Sequence, residues 1–368
     1  MTRVKKRWAW CGAALACVLA APGVAVAATT IRGPLNMTTI RGPLNMTTIR
    51  GPLNLTTISG PLNILLVGID PRDDHTAPLA DSIIVAHVPA DRSAAYLISI
   101  PRDLVVTIPA FPKSGSPAQR TKINAAMALG SRIGERKYNP EQGYELLSRT
   151  IGGVTGIKRF DAGAVLNFGG FTELVEAIGG ISVAVDQNVV SEHRKPDGSS
   201  RDRLPQCPGH DNCHRPYVGA QKTYPRSDKP VHFTGWEALD YVRQRYGLPH
   251  SDYDRQRHQR QFVTALAKKL KRKVVTDPGR LVRLTGALGT SLTFVGNNHG
   301  IADWAQTLAV LRIRQMTGLG LPGSALFEGG IYKGEKLPGT VGPFFAAVDQ
   351  DRIGPFLTAH PGVVSVDH

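Results

Sequence analysis

The first third of the chain alternates short apolar runs with polar punctuation. Asn63-Ile-Leu-Leu-Val-Gly-Ile-Asp70, Ser82-Ile-Ile-Val-Ala-His-Val88 and Ala95-Tyr-Leu-Ile-Ser-Ile100 are strand-length, rich in β-branched residues and bounded by Pro, Asp or Ser. A short Pro- and Asp-rich segment joins the first two. A turn around Pro89-Ala-Asp-Arg-Ser93 joins the next two. Neither connection has room for a helical crossover, so the three strands are expected to pair antiparallel as neighbours. That topology brings Asp70, Asp81 and Arg102 to one edge of one sheet. His87, inside the second run, reads as a packed or edge residue.

Helical spacing follows over 122–132 and 141–151, and again over Gly170–Ile178, which closes on Gly179-Gly180, a left-handed stop. Ile181–Val185 reads as a strand, and 191–232 as a long polar loop. Thr234-Gly-Trp-Glu237 has the capping-box pattern, with Phe233 before it as a staple. Ser251 to about Lys273 is a strong helix. Helices are expected near 301–315 and 343–358. The predicted class is α/β: one domain with a mixed central sheet flanked by helices on both sides. Residues 276–368 would form an extension packed on that same domain.

Residues 1–28 read as an export segment. Arg3–Arg7 is basic, Trp8–Ala21 is apolar, and Ala25-Val-Ala27 suits cleavage before Ala28. Pro22 and Gly23 favour cleavage, while the uncharged run to Ile31 leaves a retained anchor open. From Thr29 a nine-residue repeat, Thr-Thr-Ile-Arg-Gly-Pro-Leu-Asn-Met, recurs at Thr38, Thr47 and Thr56. Gly-Pro in every copy blocks helix, so 29–62 reads as an extended linker. Export changes the cysteine reading: Cys207 and Cys213 close a small loop as a disulfide, or join His210 and His214 at a zinc site, or stay free. Lys+Arg is 44 against Asp+Glu 29, a formal charge of +15. Such a body suits an anionic partner, and export sets nucleic acid aside.

Two constellations could carry chemistry. Asp70 and Asp81 at one sheet edge could share a hard cation, Mg²⁺ or Mn²⁺, which needs only one or two carboxylates beside water and phosphate oxygens. Two solvated loop acids, with Asp73 and Asp74 beside them, is the other reading. Arg243 and Arg245 point the same way if the segment is extended. Arg255 and Gln259 share a helix face that continues into Val263 and Leu266, which aims them into a cavity over the core. Arginine forks suit a diphosphate. Arg257, Arg260, Lys268, Lys269, Lys271, Arg272 and Lys273 read as a solvated basic face. Nucleophile-elbow, zincin and phosphate-loop motifs are absent from the sequence.

In order along 63–272, these residues resemble the LytR-CpsA-Psr family. The matching blocks are Asn63–Asp70 with Arg72, Asp81-Ser82, Ser99–Asp103, Lys122–Ala126, Gly170–Gly180, Ala238–Arg245, and Asp252, Arg255 and Gln259. The resemblance implies a catalytic domain over 63–275 with an apolar, lipid-binding cavity beneath sheet and helices. It implies an envelope phosphotransferase on the extracytoplasmic side of the membrane. Such an enzyme moves a glycopolymer, teichoic acid-like or another secondary polysaccharide, from a polyprenyl diphosphate carrier to peptidoglycan; pyrophosphatase activity would accompany it. By position, Asp70 and Asp81 would hold the metal, with Asp81 alternatively taking the acceptor's proton. Arg102, Lys122, Arg243, Arg245, Arg255 and Gln259 would grip the diphosphate, joined by Arg72 and Asp103; Asp81, Arg102, Arg243 and Arg245 would be catalytic. Leu79-Ala80 stands where the family often has Arg, His258 replaces a common Arg or Gln, and Asn167 a common Asp. A different class remains, a non-catalytic envelope protein that binds polyanionic polymer or the lipid diphosphate; it would need the arginines but not the acids. A transcriptional regulator conflicts with the export segment.

Overall fold

The computed structural model describes residues 58–71, 75–135, 137–204, 217–276 (backbone only over 271–276), 288–300, 303–304, 307 and 313–367. The export segment, most of the repeats, Arg72 and the cysteine loop with Cys207 and Cys213 lie outside them. In chain order the elements begin with strands β1 (Leu62–Ile69), β2 (Ala80–Val88), β3 (Ala94–Ser99), β4 (Val105–Ile108) and β5 (Gln119–Lys122). Helices α1 (Ala125–Ser131) and α2 (Pro140–Thr155), strand β6 (Ala162–Asn167), helix α3 (Phe168–Ala177) and strand β7 (Ile181–Val185) follow. Short strands β8 (Val189–Val190), β9 (Asp202–Arg203), β10 (Tyr217–Val218) and β11 (Thr223–Tyr224) lead to β12 (Ser227–Phe233), α4 (Gly235–Arg243) and α5 (Asp252–Thr276). The chain ends through β13 (Leu292–Val295), β14 (Gln315–Gly320), the hairpin β15 (Ser324–Glu328) and β16 (Ile331–Lys336), α6 (Gly342–Asp349), α7 (Ile353–Ala359) and β17 (Ser365–Val366).

Among the described residues the main sheet has seven strands in the order β13-β6-β1-β2-β3-β14-β17. The short connections have the predicted effect: β1–β2 and β2–β3 are antiparallel. β6 joins β1 and β14 joins β3 in parallel, so the sheet is mixed. β1 is buried on both faces, and its alternation sorts the two cores. Leu62, Ile64 and Leu66 pack with Leu174, Tyr241, Phe262 and Leu266 under α3–α5. Leu65, Val67 and Ile69 pack with Met127, Leu147, Ile151 and Phe344 under α1, α2 and α6. The result is an α-β-α sandwich whose sheet is covered on both sides.

Two C-terminal expectations are corrected. The segment expected to stay helical to 315 has turned into strand β14 at Gln315, which pairs in register with β3 from Ala94. The helix expected over 343–358 is broken in two. Asp351 takes a left-handed φ of 55°. Its carboxylate accepts from the Ala90 amide at 3.0 Å and lies 2.9 Å from His87 Nε2, which fixes the break. His87 itself is buried, with Nδ1 2.8 Å from Asn63 Oδ1.

Candidate functional site

At the carboxyl end of β1 and β6 a cavity of about 1030 Å³ opens between the sheet and α3–α5. Open α/β sheets place ligands at this end of their strands. The inner wall is apolar: Leu66, Ile84 and Leu166 from the sheet, Phe171, Val242, Phe262 and Val263 from the helices. The mouth is charged, with Asp70, Asp81, Arg102, Arg243, Arg245 and Arg255.

Local structure places each group. The β1–β2 register runs Gly68↔Ser82 and then Ile69↔Ala80, so Asp81 is the extra residue of a β-bulge. A bulge of this kind re-aims one side chain at a sheet end. Gly68 permits it, because a Cβ there would stand 3.0 Å from Ser82 Cβ. The Lys122-Ile-Asn124 block stitches two strand ends together: the Asn124 amide donates to Arg102 O at 3.2 Å, and Asn124 O accepts from the Ala80 amide at 3.2 Å. Helix α4, started by a capping box at Thr234 and Glu237, stops at Arg243. Gln244 is extended at φ −66°, ψ 135°, so Arg243 ends a helix instead of sharing one extended segment with Arg245, and both arginines still reach the cavity. On α5, Arg255, Gln259 and Val263 line the cavity in the predicted succession, and Leu266 continues into the core.

The charges interlock. Arg102 donates to Asp81 and lies 3.7 Å from Asp252 and 3.9 Å from Asp103. Asp252 also pairs with Arg255 at 2.8 Å. Burial works against the Arg102 charge, but the carboxylates of Asp252, Asp81 and Asp103 outweigh it and hold the guanidinium more firmly protonated than usual. Arg255 is 6% exposed. For it burial wins, aided by Arg102 and opposed by Asp252, and its charge is held less firmly than an ordinary arginine's. Its Nε is buried without a hydrogen-bond partner, as is Nε of Arg102, which keeps only the longer ion-pair approaches to Asp252 and Asp103. Arg243 lies 3.3 Å from Asp70 and 4.4 Å over the Phe168 ring. Gln259 accepts from Ser82 Oγ at 2.8 Å and donates to Val242 O at 3.3 Å, which ties α5 to β2 and to the end of α4. Lys122 and Asp103 pair at 3.1 Å beside Arg102 and stand behind the cavity rather than in its wall.

For a divalent cation the two acids offer hard oxygen donors at one cavity mouth. Among the described residues no group of three or more His, Cys, Asp and Glu is placed to hold a metal. Asp70 and Asp81, paired here with Arg243 and Arg102, could supply at most two of the oxygens such an ion needs, water and phosphate oxygens the rest.

The model of the LytR_cpsA_psr family matches residues 42–336. The chain belongs to this family. A cell wall biosynthesis protein LcpA of Corynebacterium glutamicum is 26% identical over 275 residues, covering 68% of this chain and 45% of that protein. A polyisoprenyl-teichoic acid–peptidoglycan teichoic acid transferase TagU of Bacillus cereus is 27% identical, covering 56% and 51%. The chain thus spans about half the length of these curated relatives. Among solved structures, a protein from Streptococcus agalactiae superposes with a TM-score of 0.58 at 19% identity, covering 80% of this chain and 88% of that one. TagT bound to LI-WTA superposes at 0.51 with 21% identity, covering 79% and 90%. These likenesses establish a LytR_cpsA_psr fold.

Several features of the site escaped sequence reasoning. Arg260 is not on a solvated face: it is 2% exposed and donates to Asp367 at 2.7 and 2.6 Å. Arg257 likewise pairs with Asp186 at 2.8 Å and with Asp254 at 2.6 Å. Partners so distant in sequence leave no local signal. Asn167 lines the cavity as the N-cap of α3, accepting from the Gly170 amide at 2.8 Å; the Asn-x-x-Gly spacing before a helix could have revealed this. His193, Arg203 and Tyr217 also line the cavity. They come from the stretch between β7 and β12, expected as loop over 191–232. There Arg203 on β9 pairs with Tyr217 on β10, and Ser227–Phe233 is itself a strand, a pairing across the chain that no periodicity announces.

Proposed function

We propose that this chain is an extracytoplasmic phosphotransferase that moves a glycopolymer from a polyprenyl diphosphate carrier onto a peptidoglycan hydroxyl. The observation that carries the proposal is one cavity that joins an apolar wall to a charged mouth, where Asp70 and Asp81 stand among arginines that include Arg102, Arg243, Arg245 and Arg255. A polyprenyl tail needs the first and a diphosphate the second. The names of relatives, a teichoic acid transferase and a cell wall biosynthesis protein, support the same reading.

In this proposal the tail lies along Leu66, Ile84, Phe171 and Phe262, and the diphosphate sits at the mouth. Arg102, Arg243, Arg245 and Arg255 meet the charge that grows on the phosphoryl oxygens. Asp70 and Asp81 would hold Mg²⁺ or Mn²⁺, which supplies further charge neutralisation when bound. The acceptor hydroxyl attacks the sugar-linked phosphorus and loses its proton to a carboxylate or to water. The bond from that phosphorus to the bridging oxygen breaks, and polyprenyl phosphate leaves. Water in place of the acceptor gives pyrophosphatase activity. Arg255 stays poised because its Nε has no protein acceptor. Among the described residues no helix is long and apolar enough to cross a membrane; contact with the membrane surface belongs to the proposal.

The test uses the full chain with a polyprenyl diphosphate-linked saccharide and a peptidoglycan acceptor, with Mg²⁺ or with chelator. Polyprenyl phosphate release that needs metal and is lost in Arg102→Ala and Asp81→Ala is the expected result. Tight lipid binding with no turnover, acceptor present, would favour a non-catalytic binding protein.

A further inference from the structure

The cavity continues past the proposed diphosphate site into a side pocket. That pocket has a volume of about 190 Å³ and is lined by His193, Arg194, Ser200, Tyr217 and Arg243. It shares His193, Tyr217 and Arg243 with the main cavity, so one ligand can reach both. Its volume corresponds to about six waters, room for one charged unit rather than for a lipid tail.

The side pocket and the stretch of main cavity beside it, where Arg203 and Glu192 stand, are organised. Arg194 donates to Gly198 O at 3.1 Å and Arg201 to Glu192 O at 2.7 Å, which hold the loop in shape. Arg203 bonds and stacks on Tyr217, with its guanidinium 4.2 Å from the ring. Tyr217 in turn meets His193 edge-on at 5.0 Å. Among the described residues neither Arg203 nor Arg245 forms an ion pair: Arg203 bonds Tyr217 Oη and Arg245 bonds Tyr246 Oη. Glu192 lines the same cavity, lies 3.8 Å from His193 and feels both guanidinium charges, but among the described residues it pairs with neither. His193 registers this field. Burial first, then Arg243, Arg203, Arg194 and Arg201, push its pKa down to about 4, so it is neutral at physiological pH. Its Nδ1 is buried with no partner.

We propose that Arg203, Tyr217 and His193 form a second anion subsite, which holds a phosphodiester or carboxylate group of the polymer one or a few units beyond the carrier diphosphate. Arg203 meets the charge and the neutral imidazole bonds a neighbouring hydroxyl. Chains that carry an anion at that distance would be preferred over neutral ones. The inference rests on the proposed function for its direction along the polymer, but the pocket can be tested separately.

The test is calorimetric titration of the full chain with soluble glycerol-phosphate oligomers, galacturonate oligomers and neutral glucan oligomers of matched length. Each titration is run with and without saturating geranyl diphosphate. The expected result is binding of one anionic oligomer that persists with geranyl diphosphate bound, and that weakens about tenfold in Arg203→Ala, as loss of a charge-assisted contact implies. His193→Ala should weaken it too, whereas Lys158→Ala, an equal charge change on the exposed far end of the sheet, should not. Whichever oligomer binds, phosphate or carboxylate, identifies the source of the anion. Displacement by geranyl diphosphate, equal affinity in Arg203→Ala, or equal binding of the neutral oligomer would overturn the proposal. Arg203-dependent oligomer binding without any geranyl diphosphate binding would retain the subsite and reject the proposed function.

Discussion

Arg255 separates a substrate-binding arginine from a structural one. It is 6% exposed and pairs with Asp252, at 2.8 Å, while its Nε has no acceptor. An orphaned buried donor costs about 1–3 kcal/mol, and a charged hydrogen bond contributes about 1.5–3 kcal/mol, so the two nearly cancel. Replacing Arg255 by Met keeps most of the volume and removes both. Asp252 is not stranded, because Arg102 remains at 3.7 Å and Gln256 Nε2 at 3.3 Å. Arg255→Met should therefore change stability by no more than about 1 kcal/mol either way, a Tm shift of a few degrees at most. Turnover of the lipid diphosphate should nevertheless fall by about 10²–10³-fold, the usual cost of losing one preorganised charged donor. Arg255→Lys keeps the charge without the fork and should restore only part of it. Calorimetric melting and single-turnover kinetics on the same preparations read both quantities. A loss of about 3–5 kcal/mol, as when an ordinary buried ion pair is broken, would refute this reasoning and make Arg255 a structural residue.

Asp367→Ala should show the opposite pattern. It strands the guanidinium of Arg260, 3% exposed, and should cost about 3–5 kcal/mol in urea denaturation; a loss below about 1 kcal/mol would mean that solvent replaces the carboxylate. Gly68→Val adds a branched side chain opposite the bulge, where even its Cβ would stand only 3.0 Å from Ser82 Cβ. Displacing Asp81 by even part of an ångström should lower turnover about tenfold or more, and unchanged kinetics would show that the bulge does not aim Asp81. For His193 the folded pKa of about 4 lies below the ordinary 6.5, so the unfolded chain binds more protons between those values. Stability should thus be complete above about pH 6.5 and decline as pH falls toward 4, by about 1–2 kcal/mol after allowing for partial exposure. His193→Gln should remove that component from a pH series of urea melts, and an unaltered pH profile would rule it out.

The parts legible in the sequence are those that local rules govern. Short connections set the antiparallel order of β1, β2 and β3, and that order put Asp70, Asp81 and Arg102 at one sheet end. Helical spacing aligned Arg255, Gln259 and Val263 along one wall. The illegible parts depend on meetings across the chain. Arg260 reads as solvated until β14 brings Asp367 beside it. Gly318 has to lack a side chain there, since a Cβ would stand 2.0 Å from Asp367 Oδ2. The split between α6 and α7 depends on Asp351 reaching His87, which no propensity encodes.

The same distinction explains how the site is built. Asp252 lies between Arg102 and Arg255, at 3.7 and 2.8 Å, and so holds two guanidiniums close together that would otherwise repel. Arg102 in turn reaches Asp81, and Asp81 owes its position to the bulge opposite Gly68. The charges at the mouth thus form a connected chain from α5 to β2 rather than a set of independent contacts. Substitutions within it should be non-additive. The double change Arg102→Ala with Asp252→Ala should lose less turnover than the product of the two single losses, because the first already frees Asp252 from half of its task. Strict multiplicativity in a double-mutant cycle would mean that each residue meets the substrate on its own.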